Sequence, residues 1–292
     1  MQKIRFIVNP ISGINRNPQK IVRWIEEIIK PSGRTVEIVY TREPGDGTRL
    51  GKEAVALGFD LVVAVGGDGT INEISSGIMG SRAILGVIPA GSGNGFARNF
   101  DIPLTQRKAI QILLSPRIIT IDAGKINNRY FFNVAGIGLD AEISQNFEQF
   151  GFRGPIPYFI IGTKSFLQYK PKLIKIILDN QELEYSPLLL SIANAPQYGN
   201  GAVIAPAAKP DDGLLDICIL DAIPFWKAAS NIHRLFNGTI DQIEGFHSFQ
   251  AKELSIQRVA AGAIHTDGNP FREEAFLKVQ VVPNALKVAV AE

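Results

Sequence analysis

Apolar and polar positions in the N-terminal part of the chain alternate between two periods. Ile4 to Val8 is a short apolar run with β-branched members, which predicts a strand, and it ends at Asn9-Pro10 and Ser12-Gly13. Ile21, Trp24 (or Ile25) and Ile28 then recur at helical spacing, with Pro18 near the start and Pro31 and Gly33 at the stop. Thr35 to Tyr40 predicts a second strand, Thr48 to Leu57 a second helix closed by Gly58, and Phe59 to Val65 a third strand. Ile71 to Ile78 follows as a helix, Ala83 to Ile88 as a strand and Thr105 to Leu114 as a helix. Strands separated by helices in this way pair in parallel through right-handed crossovers, and continuous apolar strands suit a sheet covered on both faces. In such a sheet the loops at the carboxyl ends of the strands line the ligand crevice.

The pattern changes near Arg117. Ile118 to Ile121, Tyr130 to Val134, Leu173 to Leu178, Leu188 to Ala193, Leu214 to Leu220, Glu253 to Arg258 and Phe276 to Val282 all read as short strands. Helical pattern is confined chiefly to Gly138 to Phe147, Pro155 to Leu167 and Pro224 to Asn237. The expected architecture is an α/β N-terminal domain with a parallel sheet, followed by a mostly antiparallel β-sandwich or barrel. The expected division is residues 1–122 for an α/β domain and 123–292 for a β-rich domain. Leu286 to Val290 is left open as a strand returning to the first domain.

Three glycine-rich loops fall at the carboxyl edge of the first domain's strands. The most informative is Leu61-Val62-Val63-Ala64-Val65-Gly66-Gly67-Asp68-Gly69-Thr70-Ile71-Asn72-Glu73, where an apolar strand runs into three glycines and an aspartate and then into a helix. Glycines let backbone amides approach an anion closely, and a helix N-terminus adds partial positive charge. Asp68 would repel bare phosphate, so it reads as an indirect Mg²⁺ partner, an orienting group or a helix cap. Asn9-Pro10-Ile11-Ser12-Gly13 and Pro89-Ala90-Gly91-Ser92-Gly93-Asn94-Gly95-Phe96-Ala97-Arg98 add small residues with hydroxyl or amide donors, the components of a phosphate nest. Neither a G-x-x-x-x-G-K-S/T loop nor a strand-borne G-x-G-x-x-G fingerprint is present.

Composition narrows the setting. Cys218 is the only cysteine and sits in an apolar run, so it reads as a buried thiol rather than a nucleophile, in keeping with a reducing compartment. No secretory signal opens the chain, and no run approaches the roughly 18 apolar residues of a membrane span. A cytoplasmic location follows, peripheral at the inner membrane face if the protein meets lipid. With 30 basic and 28 acidic residues the net charge of +2 builds no nucleic-acid footprint. Lys164, Lys170, Lys172 and Lys175 lie close in sequence to Phe159, Phe166 and Tyr169, a patch that anionic lipid would favour unless it is an ordinary solvated face. His233, His247 and His265 form no zinc pattern, although His265 has the titration range of a base.

Taken together, Asn9 to Gly13, Gly66 to Thr70 with Glu73, Pro89 to Arg98, Asn133-Val134-Ala135-Gly136-Ile137-Gly138-Leu139-Asp140, Pro206 to Asp216 and Thr266-Asp267-Gly268 make the chain resemble the diacylglycerol kinase catalytic family. The likeness is to its soluble bacterial lipid kinases, whose relatives include sphingosine and ceramide kinases. The resemblance implies an ATP site between an α/β and a β-rich domain. It implies that Asn9, Pro10, Ser12, Gly13, Thr41, Gly66, Gly67, Gly69, Thr70, Gly91, Ser92, Gly93 and Asn94 surround nucleotide and phosphates. Asp68 would join a water and Mg²⁺ network, Asp267 would act as general base toward a lipid hydroxyl, and a structural Mg²⁺ would sit on the Asp212 side chain with the carbonyls of Lys209 and Leu214. Gly95 stands where many bacterial members carry aspartate, and Asn269 where a glutamate is common; the Gly-Ser-Gly-Asn form is closer to sphingosine-kinase-like relatives. Gly136, Gly138 and Asp140 would shape the acceptor side, with Phe147, Phe150, Phe152, Ile156, Tyr158 and Phe159 supplying apolar surface for acyl chains. An NAD-kinase-like enzyme and a non-catalytic nucleotide sensor are the alternatives, and a homodimer is left open.

Overall fold

The computed structural model describes residues 1–13, 17–150, 155–178 and 181–292, without the side chains of residues 147–150 and 155–161. The chain forms two compact units, residues 1–121 with 284–292, and residues 122–283.

The first unit runs β1 (Lys3–Val8), α1 (Pro18–Ile29), β2 (Thr35–Tyr40), α2 (Asp46–Ala56), β3 (Leu61–Gly66), α3 (Asp68–Ile78), β4 (Ile84–Pro89), α4 (Gly95–Asn99) and α5 (Gln106–Ile112). Its strands pair in parallel in the order β2-β1-β3-β4, and Lys287 and Val288 of the final strand pair in parallel with Ile84 and Leu85 of β4. β3 is buried at every position, because helices cover both faces. On β1 the interior position Arg5 is buried yet satisfied: its guanidinium meets Glu37 at 2.7 Å, Glu53 at 3.1 Å and the Leu50 carbonyl at 3.4 Å. Asn17 caps α1 by accepting from the Lys20 amide, and Gly33 closes the turn after it with φ of 74°.

β5 (Arg117–Ile126) leads into the second unit, which continues with β6 (Arg129–Phe131), β7 (Val134–Gly138), α6 (Leu139–Phe150), α7 (Pro155–Gln168), β8 (Ile174–Leu178), β9 (Gln181–Tyr185) and β10 (Pro187–Ala193). It then adds β11 (Leu215–Asp221), α8 (Phe225–Asn237), β12 (Phe246–Ala251), β13 (Glu253–Arg258), β14 (Gly262–Thr266), β15 (Asn269–Glu273) and β16 (Phe276–Val290). One antiparallel sheet has the order β12-β11-β10-β7-β14-β15, and β13 joins the first part of β16 to β8 and β9. Ile137, Leu190, Ile217 and Ile264 of the first sheet pack with Ile176, Ile256, Leu277 and Val279 of the second, which makes the β-sandwich core.

Several boundaries differ from the sequence pattern, each for a local reason. α3 begins at Asp68 rather than Ile71, because the glycines and threonine of the loop supply its first turn. Tyr130 to Val134 is two strands, broken at Phe132-Asn133 where the amides turn to a side chain described below. α4 has only five residues, too few to show a period. β9, β12, β14 and β15 are partly exposed strands whose mixed polarity hides the alternation. Among the described residues, no helix is long and apolar enough to cross a membrane.

Candidate functional site

In the first unit the strand order places β2 on one side of β1 and β3 on the other. The point where the order reverses, outside the carboxyl ends of β1 and β3, is where open α/β sheets bind ligands. Asn9 leaves β1 at that point and its Nδ2 donates to Thr70 Oγ1 at 2.9 Å, joining the first loop to the first turn of α3. Asn9 Oδ1 accepts from the Ile11 amide at 3.1 Å, which turns the loop. Gly13 has φ of 79°, and a Cβ there would stand 2.3 Å from the Ala90 carbonyl oxygen. The first loop therefore lies directly on the loop after β4.

The second and third loops touch through glycine. A Cβ on Gly91 would come 2.6 Å from Gly67 Cα, and a Cβ on Gly66 2.6 Å from Thr70 Cβ. Asn94, held at φ of 49°, accepts the Gly91 amide on its Oδ1 at 2.9 Å. Asp68 occupies the first position of α3 and also accepts the Phe96 amide of α4 at 3.0 Å, so one carboxylate serves the N-termini of two helices. Gly93 lies beside Asp68 Oδ2, which a Cβ on it would approach to 3.3 Å. Glu73, one turn along α3, accepts the Gly45 and Gly47 amides at 2.9 Å each and so fixes the start of α2.

These contacts bring together Asn9, Gly13, Gly66, Gly67, Asp68, Thr70, Gly91, Gly93 and Asn94. Pro10 and Ser12 line a small hollow with Asn9, Asn17 and Ala90. Gly69 is in the first turn of α3, and Ser92 in the turn between Gly91 and Gly93. Thr41 follows β2, its amide donating to the Val8 carbonyl at 3.0 Å beside the base of the Asn9 loop.

The second unit holds Asp267. It and Gly268 form the two-residue turn between β14 and β15, with φ of 48° and 82°, the left-handed pair that an Asp-Gly hairpin turn requires. The Asp267 carboxylate is buried and accepts the amides of Phe132, Asn133 and Val134 at 2.9, 2.8 and 3.1 Å. Three donors compensate the burial of the charge and lock the side chain against the break between β6 and β7.

Beside it is a polar cluster whose members the sequence shows only separately. Tyr198 donates its hydroxyl to Asp140 Oδ2 at 2.9 Å, Ser191 bonds to Tyr198, and His265 Nε2 lies 3.4 Å from the same Asp140 oxygen. The Gly268 amide donates to His265 Nδ1 at 3.4 Å, and Nε2 faces Asp140. Asp140 is thus the second residue of α6, accepting the Ala141 amide, and also the hub of a partly buried network. Burial, followed by the charges of Asp140 and Glu142, pushes the Tyr169 hydroxyl well above its ordinary range, and burial raises the Glu142 carboxyl. Tyr198 and Ser191 carry no motif, since their partner is more than 50 residues away in sequence; the one signal was Gly136, which has room for no side chain between Asp140 and His265.

In the loop Lys209 to Leu214, Asp212 Oδ1 accepts the Leu214 amide at 3.0 Å, and the Gly213 amide goes to Asp122 at 2.8 Å. Among the described residues no three His, Cys, Asp or Glu side chains converge as a metal cluster. A carboxylate with backbone carbonyls is nevertheless a hard oxygen donor set of the kind Mg²⁺ accepts, with water or phosphate completing its shell. Lys175 is tied to Glu182 and Glu184 at 2.7 and 3.0 Å, which separates it from Lys164, Lys170 and Lys172. Burial pushes the Cys218 thiol up to about 12, so it stays protonated. The side chains of Phe147, Phe150, Phe152, Ile156, Tyr158 and Phe159 lie outside the described residues.

Comparison with known proteins follows the same division. Residues 3–126 match the diacylglycerol kinase catalytic domain, and residues 133–290 match the YegS C-terminal NAD kinase β-sandwich-like domain. A probable lipid kinase YegS-like from Pseudomonas aeruginosa (strain UCBPP-PA14) is 31% identical over 263 residues, covering 89% of this chain and 86% of that protein. A protein of the same description from Yersinia pestis (strain Pestoides F) is 30% identical over 278 residues, covering 93% and 92%. The crystal structure of a diacylglycerol kinase from Bacillus anthracis str. Sterne shares the fold, with a TM-score of 0.76 at 21% identity over 99% of this chain and 97% of that one. The chain belongs to the diacylglycerol kinase catalytic family, among its YegS-like lipid kinases, and is by that membership an ATP-dependent kinase.

Proposed function

We propose that the protein transfers the γ-phosphoryl group of ATP to a hydroxyl of a diacylglycerol-like or sphingoid-like lipid, with Mg²⁺ bound to the nucleotide. The observation that carries the nucleotide half of this reading is the joining of three phosphate-type loops at the reversal point of the first sheet, through Asn9–Thr70 and the Gly67–Gly91 contact. Backbone amides of Gly67 and Gly69 and the hydroxyls of Ser12, Thr70 and Thr41 receive the phosphates, with Gly91 allowing the close approach of its loop to Gly67. Asp68 holds α3 and α4 in register and would face a nucleotide-bound Mg²⁺ through water; the ion would supply charge neutralisation on the transferring phosphoryl group.

The lipid half is assigned to the second unit. Asp267, locked by three amides, takes the proton of the acceptor hydroxyl as that oxygen bonds to the γ-phosphorus and the bond to the β–γ bridging oxygen breaks, releasing ADP. The Asp212 side chain with the carbonyls of Lys209 and Leu214 would hold a structural Mg²⁺. The protein works at the cytoplasmic membrane face.

The test is to incubate the purified protein with labelled ATP, Mg²⁺ and a total lipid extract in detergent, with NAD in a parallel reaction. A labelled lipid absent from an Asp68→Asn control is expected; labelled NADP in its place, or nucleotide binding with no transfer, overturns the reading. Asp267→Asn should lower turnover by about 10²-fold or more with ATP affinity retained. Turnover near wild type in a folded Asp267→Asn protein would remove the base role.

A further inference from the structure

In the second unit α8 is inside out. Its half-buried residues are Lys227, Ala228, Asn231, Arg234 and Leu235, and the polar ones among them tie the helix down: Lys227 pairs with Glu244 at 2.6 Å, and Arg234 bonds Gln242 at 2.7 Å. The opposite stripe is Phe225, Ala229, Ile232 and Phe236, with Trp226 at its margin, and all of it faces solvent. Trp226 is 71% exposed, Phe236 57% and Ile232 51%. A surface helix ordinarily buries such a stripe. Here the apolar stripe faces outward, while the other side is held by Leu235 against the core and by the Lys227 and Arg234 contacts.

Two observations identify what covers it. Phe225 meets Phe166 of α7 with ring centroids 5.5 Å apart, so the stripe continues onto the end of α7, where Leu167 is 66% exposed. The charged residues of α8 and of the stretch around Phe166 are all basic: Lys227 and Arg234 on the helix, and Lys164, Lys170 and Lys172, each exposed, around Phe166. Among the described residues the neighbouring acids are Glu244, which Lys227 neutralises, Asp241 in the turn after α8, and the half-buried Glu142 beside Lys172. An aromatic and aliphatic stripe with a Trp at its edge and lysines at its rim is the composition of a helix lying in a lipid interface.

We infer that α8, with the end of α7, docks the protein on an anionic bilayer surface. The inference rests on the lipid-kinase reading, which requires an acceptor delivered from a membrane. Anionic lipid attracts the lysines, and the Phe225, Trp226, Ile232 and Phe236 side chains enter the headgroup boundary.

The chain has two tryptophans, so a Trp24→Phe protein reports Trp226 alone. With phosphatidylglycerol vesicles its emission should shift to the blue and be quenched by brominated acyl chains, with a weaker response to phosphatidylcholine vesicles. The triple variant W226Q/I232Q/F236Q should lower the vesicle-bound fraction at least ~10-fold. Its thermal unfolding and its turnover on a short-chain, water-soluble lipid alcohol should match wild type, since these side chains are exposed and outside the candidate site. No Trp226 shift, or vesicle binding retained by the triple variant, overturns the inference. So does a dimer that the triple variant dissociates without any vesicle binding, which would make a second copy the occupant. Failure of the wild-type protein to phosphorylate any lipid alcohol would instead remove the kinase reading and leave the vesicle result to be judged on its own.

Discussion

Gly136 stands where a single methyl group has no room. A Cβ there would come 2.0 Å from Asp140 Oδ2 and 2.2 Å from His265 Nε2, so Gly136→Ala must push apart the partly buried network that includes Tyr198 and Ser191. Overpacking of this kind costs about 1–3 kcal/mol, to be read from denaturant midpoints. Gly162→Ala in α7 is the contrast: its nearest neighbour is Ile143 Cδ1 at 4.0 Å, and the change to alanine should be neutral or stabilising by up to about 1 kcal/mol. Equal losses in the two variants would show that the Asp140 network is not rigid. Gly91→Ala tests the phosphate loops in the same way. Its Cβ would meet Gly67 backbone at 2.6 Å, and the expected result is ATP affinity reduced about tenfold or more by calorimetry, or ~1.4 kcal/mol. Unchanged affinity would show that the Gly67–Gly91 contact does not shape the nucleotide site. Such glycines are legible in a sequence because the loop chemistry is local: strand, glycine cluster and helix follow one another within a dozen residues. Tyr198 and Ser191 are not legible, because nothing near them in sequence says that Asp140 is their partner. For Asp267 the sequence offers both an Asp-Gly turn and a base; the geometry shows the turn, with the carboxylate held by three amides.

At the scale of elements, α6 shows how packing sets a titration. Glu142 lies in its first turn; burial raises its carboxyl above the ordinary value of 4.5, and Lys172 opposes the rise. A carboxyl whose folded-state value is raised binds its proton more tightly in the folded protein than in the unfolded chain. Its contribution to stability is therefore greatest below the ordinary value and is lost as pH rises through the folded value. Glu142→Gln should raise the melting temperature at neutral pH, and the gain should fade as the pH is lowered toward and below 4.5. A gain that is the same at both pH values, or a loss at neutral pH, would count against desolvation as the cause. Element type is legible where an apolar period runs long enough, as in β2, β13 and α1. It is hidden where elements are short or two-faced: the start of α4 is held by Asp68 accepting its Phe96 amide, a tertiary contact that no window of local sequence contains. β7 is separated from β6 for the same reason, since the Phe132 and Asn133 amides answer to Asp267 more than 130 residues later.

For the whole molecule, the decisive feature is that the last nine residues of the chain belong with the first unit. Leu286, Val288, Ala289 and Val290 are buried, Lys287 and Val288 pair with β4, and the Ala285 carbonyl accepts the Gly80 amide at 2.9 Å. The apolar run was visible in the sequence, but its partner was not, because parallel pairing leaves no turn to mark it. The consequence is that the first unit remains incomplete during synthesis until the last strand arrives, with β4 carrying an unpaired edge. Deleting residues 284–292 should therefore expose β4: its amides should lose hydrogen-exchange protection, and the protein should aggregate at concentrations where the full chain is soluble. Removing only Ala291 and Glu292, which follow the strand, should change neither. If β4 amides stay as protected after the larger deletion as before it, the C-terminal strand is a passenger on a sheet already complete. If protection falls in β4 and not in β12, the loss is confined to the first unit, as expected when the strand belongs to that unit's core.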